Sequence, residues 1–553
     1  MAPIASGSQF DAAAFARRQA LQGSSGPAAL VKNARVFAIA CFACLGGLLY
    51  GYNQGVFSGV LTMTSFNNHM GDYTLNQTKK GWLTSILELG AWTGTMYSGF
   101  LAEIISRKYA ILVNTAIFII GVVIQDTAVT SAGPSAIMGG RFITGQYTYP
   151  SHSDYKLTVR DRGALVGLQQ LAITLGIMIS FWIDYGTNYI GGTGSGQKDA
   201  AWLVPLCLQL APAVVLGIGM MFMPFSPRWL VHHDREADAK RTLAKLRGLP
   251  EHHELIELEF AEIRAQSLFE KRTIAEHFPH LADHSAWSTI KLQFVAIGSL
   301  FKSKPMFKRV VVACLTMFFQ QWTGINAILY YAPQIFKGLG LTGNTISLLA
   351  TGVVGIVMFL ATIPAVMYVD KLGRKPVLIV GAIGMATCHI IIAIITAKNQ
   401  YDWPHHQAAG WAACAMVWLF VVHFGYSWGP CAWIIVAEIW PLSNRPYGIA
   451  LGASSNWMNN FIVGQVTPDM LTGMTYGTYI FFGLLTFGGA AFIYFFMDII
   501  FGSAGTAQAD AERMREINKE VGLDNMLHGG EGDRSSPTFL DEKHDVEHKS
   551  GEV

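Results

Sequence analysis

Eleven stretches of this 553-residue chain are apolar over a length that crosses a bilayer. Five lie at 36 to 61, 81 to 105, 109 to 129, 163 to 185 and 201 to 223. Six more follow at 308 to 336, 344 to 369, 376 to 397, 409 to 437, 447 to 467 and 476 to 500. Hydrocarbon offers the backbone no hydrogen-bond partners, so spans of this kind have to be helices. The chain is therefore read as an all-α polytopic membrane protein. Composition agrees: 51% of residues are hydrophobic and 14% charged, where a soluble chain carries about 25% charged. A twelfth span begins at 135 to 149, then meets Ser151, His152, Asp154 and Lys156. Each central Asp or Lys there costs about 2.5 to 3.5 kcal/mol on the insertion scale.

Lys and Arg set the expected orientation. If the 135 to 149 region crosses, then Arg107, Lys108, Arg160, Arg162, the segment 228 to 309, Lys371, Arg374, Lys375 and Arg445 fall in loops of one parity. Both termini are then cytoplasmic by the positive-inside rule. Asn76, Gln77 and Thr78 form a glycosylation sequon in the first outer loop. The domain reading has five parts: an N-terminal segment at 1–34, a membrane half at 35–223, a central cytoplasmic loop with helices at 224–307, a second membrane half at 308–500, and a charged, solvated tail at 501–553 with one amphipathic piece at 510 to 521. No short apolar core with a cleavage site precedes the first span, so no removable signal peptide is expected. The seven cysteines all fall in apolar segments, which points to packing and not to disulfides, zinc or redox work. A net charge of +2 suggests no nucleic-acid partner. No metal cluster, nucleophile and base pair or phosphate loop stands out, so neither cofactor nor enzymatic activity is expected.

Within the first span of the second half, residues 318 to 331 read F-F-Q-Q-W-T-G-I-N-A-I-L-Y-Y. Uncharged polar groups inside a span usually face a protein-lined cavity or a neighbouring helix. Gln320, Gln321 and Asn326 each offer donors and an acceptor, the inventory that suits a neutral ligand with several hydroxyls, such as a carbohydrate. The alternative, that they only tie helices together, rarely needs so many. On a straight helix Asn326 lies roughly 240° from Gln320. Gly324 supplies a place for the bend that brings all three toward one cavity.

Each half also repeats a charge pattern. Glu103 precedes Arg107 and Lys108 after the second span of the first half, and Asp370 precedes Arg374 and Lys375 after the second span of the second. A matched acid and basic pair at the same place signals two parallel repeats, with ion pairs between helix ends that break as an inner gate opens.

Here the resemblance becomes specific. The segments 51–59, Gly140 with Arg141 and Phe142, Arg162 with Gly163, Gln169 with Gln170, 224–230, 320–331, 370–375 and Gly429 with Pro430 resemble those of the sugar porters of the major facilitator superfamily, and most of all the fungal monosaccharide transporters. Trp433, Glu438, Arg445 and 455–457 extend the match, which covers about 35 to 500. The resemblance implies the major facilitator fold, two six-helix halves with one sugar site at mid-membrane between them. Its sugar-contacting positions correspond to Gln169 and Gln170 in the fifth helix and Gln320, Gln321 and Asn326 in the seventh. Phe424 and Trp433 in the tenth and Asn456 and Trp457 in the eleventh complete them. Tyr330 and Tyr331 correspond to an outer gate, and Gly429 and Pro430 to a bend in the tenth helix. The implied cytoplasmic charge network takes in Glu103, Arg107, Arg141, Arg162, Asp370, Arg374, Glu438 and Arg445. The resemblance implies a monomeric plasma-membrane carrier of a hexose such as glucose, working by alternating access.

The chain departs from the family in four places. The asparagine of the eighth helix appears as Met358. In proton-coupled relatives the first helix carries an aspartate near the arginine of the fourth; that coupling position is Asn53 here, and an amide takes up no proton, so facilitated diffusion is expected. A proton-coupled, polyol, disaccharide or quinate carrier and a transporter-like sugar sensor are the competing readings, which radiolabelled uptake separates. The second half of the fourth helix, 146–161, and the segment after the twelfth both break off from the family pattern abruptly, and we read both as shifted exon edges. Native peptides across 145–163 are then expected to differ from this sequence; peptides identical to it contradict that reading.

Overall fold

The structure, a computed structural model, describes residues 34–130, 133–147, 162–281, 285–341, 343–501, 505–523 and 526. The expectations for 1–33 and 148–161, and for the side chains of Arg162 and Asp370, fall outside the described parts. Among the described residues every regular element is helical.

The first half runs α1 (Ala34–Val60), α2 (Thr64–Met70), α3 (Asp72–Leu75), α4 (Gln77–Ile104), α5 (Arg107–Asp126), α6 (Gly133–Gly145), α7 (Arg162–Thr187), α8 (Ala200–Cys207) and α9 (Leu210–Phe222). Four linker helices follow: α10 (Pro227–His232), α11 (Glu236–Arg247), α12 (Glu254–His277) and α13 (Ala286–Ser299). The second half runs α14 (Lys304–Trp322), α15 (Ile325–Gly338), α16 (Asn344–Leu372), α17 (Arg374–Asn399), α18 (Gln407–Tyr426), α19 (Trp428–Glu438), α20 (Arg445–Gly473) and α21 (Tyr476–Phe501), before α22 (Gly505–Glu520). We call the end of the bundle that carries α10 to α13 the linker face, and the opposite end the far face.

Eight helical runs among the described residues are long and apolar enough to cross a membrane. The helices α1, α4, α6 and α20 pack in the same bundle, α1 on α7, α4 on α20, and α6 on α4 and α5. They are shorter or more polar for identifiable reasons. The thirteen residues of α6 span about 20 Å, short of the ~30 Å hydrocarbon core. Close backbone approach anchors this stub: a Cβ on Gly145 would lie 2.0 Å from the Leu87 carbonyl oxygen, and one on Gly90 2.1 Å from that of Phe142. In α4 and α20 the apolar run is interrupted by Glu88, and by Asn456, Asn459 and Asn460.

The halves meet along α4 with α20 and along α7 with α16, while α15 leans on α1. Two spans are broken where they face this seam. Gly324, at φ 88° and ψ 9°, separates α14 from α15, a left-handed conformation that a side chain disfavours. The break in the tenth span falls at Ser427, at φ −120° and ψ −89°, two residues before Gly429. Pro430 sits in the first turn of α19, where its missing N–H leaves no helical bond unmade.

The tail is the first correction. Its helix is docked and not solvated: Ile517 is fully buried against Ala265 and Phe269 of α12, and Arg272 pairs with Glu520 at 2.7 Å. Asp510 accepts from the Ser443 backbone N–H at 3.2 Å and hydroxyl at 3.0 Å, joining α22 to the turn before α20.

The charge repeat has a backbone counterpart. Between α4 and α5, Ser106 takes φ 77° and ψ 153°; between α16 and α17, Gly373 takes φ 83° and ψ 147°. The same sharp link joins the second and third spans of each half, made with glycine in one and with serine in the other. Ser106 is buried and its hydroxyl has no hydrogen-bond partner. A non-glycine residue held there carries about 1 to 3 kcal/mol of strain. Ser106→Gly is therefore expected to raise the thermal midpoint of the detergent-solubilised protein, by about 1 kcal/mol of stability or more; an unchanged or lower midpoint by scanning fluorimetry contradicts the assignment.

Candidate functional site

The break at Gly324 organises the polar groups of the seventh span. Gln320, in the last turn of α14, donates through Nε2 to the backbone oxygens of Trp428 at 2.9 Å and Gly429 at 3.3 Å. Its Oε1 accepts from Asn456 Nδ2 of α20 at 2.6 Å. Gln321 Oε1 accepts from Asn326 Nδ2 across the break. The bend thus closes the angle that a straight helix leaves between these amides. All four amides are at most 5% exposed.

On the other side of the seam, α1 supplies Gln54. Its Nε2 donates to Asn326 Oδ1 at 2.8 Å and lies 3.3 Å from the Tyr330 hydroxyl. That hydroxyl is 2.5 Å from Glu88 Oε1 of α4 and 3.1 Å from Asn460 Oδ1 of α20. The neighbouring Tyr331 donates to the Gly464 backbone oxygen at 2.7 Å. Both tyrosines are 1% exposed. Through them α15 is fastened to α1, α4 and α20, and this fastening lies toward the far face, beyond the break.

Aromatic rings form a second surface. Tyr50 meets Trp457 edge to face with centroids 5.4 Å apart, and Trp457 lies 6.4 Å from Trp433. Trp433, Trp457, Gln169 and Gln170 are half-buried, in contrast to the sealed amides. An indole face suits the C–H face of a ring, and free amides suit its hydroxyls. Phe424 stands apart from this surface: it is buried beside the break in the tenth span, its ring 3.3 Å from where a Cβ on Gly429 would lie. Met358 is a buried apolar residue at 3% exposure, so α16 presents no polar group there.

The charge network is only partly assembled as expected. Arg374 Nη2 pairs with Glu438 Oε1 at 3.0 Å, tying α17 to α19. In the first half the contacts run to α10 and its N-cap: Trp229 Nε1 donates to the Glu103 backbone oxygen at 3.1 Å, and Arg107 Nη1 to the Ser226 hydroxyl at 3.3 Å. Arg445 Nη2 reaches the Trp440 backbone oxygen at 3.4 Å. Arg141 does not belong to this cluster. It is fully buried, 3.9 Å over the Phe57 ring, with Nη2 donating to the Thr84 backbone oxygen at 3.1 Å. The reason is its position: α6 enters from the far face at Gly133, and eight residues advance only about 12 Å. Asn53, the coupling position, is 2% exposed, and its Oδ1 has no hydrogen-bond partner. Asn76 is exposed and caps α4, its side chain accepting from the Lys79 N–H at 3.0 Å.

Sequence reasoning did not single out Gln54, Tyr50, Glu88 or Asn460. Glu88 carried a usable signal, an acid inside an otherwise apolar span, which is by default a functional flag. The other three depend on which helix faces which, and no spacing along the chain reveals that.

The sequence profile of the family described as sugar (and other) transporter matches residues 39–502. The chain is 31% identical over 477 residues to the major facilitator-type transporter ecdD of Aspergillus rugulosus, covering 83% of this chain and 81% of that one. It is 28% identical to a probable quinate permease of Aspergillus niger, covering 89% and 92%, and 30% identical to the MFS glucose transporter mfs1 of Aspergillus flavus, covering 88% and 94%. The fold is that of the major facilitator proton:xylose symporter XylE solved with 6-bromo-6-deoxy-D-glucose, with TM-score 0.66 at 24% identity over 83% of this chain and 95% of that one. The fold, the two halves meeting around buried amides and the profile match over most of the chain converge: this protein belongs to the sugar (and other) transporter family, as an integral membrane transporter of the major facilitator fold and not an enzyme.

Proposed function

We propose that the chain carries a neutral monosaccharide, a hexose such as glucose, across the plasma membrane by alternating access, with both termini cytoplasmic. The observation that supports this reading most is the chemistry of the seam. Gln169, Gln170, Gln320, Gln321, Asn326, Phe424, Trp433, Asn456 and Trp457 are all uncharged. Six amides and two indoles are suited to hydroxyls and ring faces, and they offer no cation to an anionic ligand. Quinate, named for the Aspergillus niger relative, is a carboxylate and would lack a counter-charge among these nine. In this reading Gln169, Gln170, Trp433 and Trp457, half-buried, receive the sugar. Gln320 and Asn456 exchange their mutual bond for bonds to its hydroxyls.

Alternating access then requires the two ends of the seam to release in turn. Tyr330 and Tyr331 act as the far-face gate, because their bonds join α15 to helices of both halves. The Arg374–Glu438 pair and the contacts of Glu103, Arg107 and Arg445 act at the linker face; Arg162 and Asp370 are assigned to the same cluster by the repeat. Asn76 remains the proposed glycan acceptor, through Nδ2, while its capping bond is made by Oδ1.

The full chain reconstituted in liposomes is expected to take up radiolabelled D-glucose, with unlabelled hexoses competing better than polyols, disaccharides or quinate. Gln320→Ala is expected to raise the half-saturating concentration about tenfold, the loss of one or two hydrogen bonds in a buried site, and Trp433→Ala to do so with less effect on stability. Uptake of quinate but not of any hexose contradicts the substrate assignment.

A further inference from the structure

Glu88 is a fully buried acid in the second span, placed where the two halves meet. Around it stand Tyr330 from α15, Arg141 from α6 and Tyr50 from α1, all close enough to act on it by charge or hydrogen bond, with the amide of Asn460 presented from α20. The contacts do not balance for a carboxylate. The Tyr330 hydroxyl has one hydrogen, yet two acceptor oxygens lie within reach, Glu88 Oε1 at 2.5 Å and Asn460 Oδ1 at 3.1 Å. Glu88 Oε2 is buried with no partner, and so are Nε and Nη1 of Arg141. Glu88 Oε2 and the two Arg141 nitrogens are thus left over in one buried neighbourhood, and the acid and the base do not hydrogen-bond to each other in this conformation. A bare carboxylate oxygen in such a place is costly, and a protonated one much less so.

We propose that Glu88 is a proton-binding site, loaded as the far-face gate shuts. With a proton on Glu88, the carboxyl supplies the second hydrogen: Glu88 donates to the Tyr330 oxygen, and Tyr330 donates to Asn460. Opening the far face moves Tyr330, in the second half, away from Glu88, in the first, while Arg141 travels with Glu88. The freed carboxylate then has Arg141 as its counter-charge. A proton taken from water at the far face breaks that pair, returns Glu88 to Tyr330 and lets the gate shut; it leaves to water at the linker face in the second half of the cycle. No covalent bond to the sugar is involved, and one proton crosses with each sugar. Asn53 takes no proton, and on that residue alone the chain reads as a facilitator; Glu88 supplies the titratable group from a different helix. The inference rests on the transport reading above.

The test uses the full chain in liposomes, with whichever of radiolabelled D-glucose, D-xylose or quinate it exchanges. Wild type is expected to concentrate the label under an inward proton gradient and to lose this with a protonophore. Glu88→Gln, which mimics the protonated acid, is expected to show counterflow but only equal concentrations on the two sides, with a flat pH profile. Glu88→Asp, which keeps a carboxyl, is expected to retain gradient-driven accumulation with a displaced pH midpoint, and it guards against misfolding of the amide variant. Counterflow by wild type without any gradient-driven accumulation overturns the proton site while leaving the transporter intact. Accumulation by Glu88→Gln equal to wild type, or an unshifted profile in Glu88→Asp, also overturns it. Absence of counterflow by wild type for all three labels overturns both readings.

Discussion

A polar group inside the hydrocarbon has to find its partner within the protein, and here it finds that partner in the other half of the chain. Gln54 reaches Asn326 over 272 residues of sequence, and Tyr330 reaches Glu88 over 242. Such bonds are held in a medium that offers no competing water, so each is a firm link while it lasts. Yet each joins two bodies that meet only along a seam. In the proposed cycle these bonds are what holds one end of the bundle closed and what has to break when it opens.

The break at Gly324 makes this arrangement available. A continuous seventh helix would turn Asn326 away from Gln320 and Gln321; the left-handed glycine lets α15 change direction and lie against α1. On one side of the break the amides face α19 and α20, where the indoles of Trp433 and Trp457 stand. On the other side the tyrosines face α4. In the proposed cycle, recognition and gating would fall on consecutive turns of one span, a direct mechanical route from an occupied site to a moving gate.

Much of this was legible along the chain, because hydrocarbon imposes length and polarity rules that a one-dimensional reading can apply. The spans, the two halves, the amides at 320, 321 and 326, and the bend at Gly324 all follow from such rules. The matched acid and basic pairs marked the repeat, whose links at Ser106 and Gly373 share one backbone conformation. What could not be read was pairing in space. Arg141 looks like one more basic residue of the family pattern until α6 is seen to enter from the far face. Glu88 looks like an interruption of a span until Tyr330 is found against it. The tail shows an amphipathic piece, but not what covers it: it is Phe269 of a distant helix that receives Ile517.

The central claim is that the bonds of α15 to α1 and α4 form a far-face gate that opens and closes around the seam. The most direct test is a distance between the halves at that face. Leu75 and Tyr401 are 78% and 92% exposed there, and spin labels at these positions, in a background with the seven native cysteines replaced, report it by electron-electron resonance. The account predicts two distance populations whose proportions move when the transported sugar is added. A single distance that sugar leaves unchanged would contradict it.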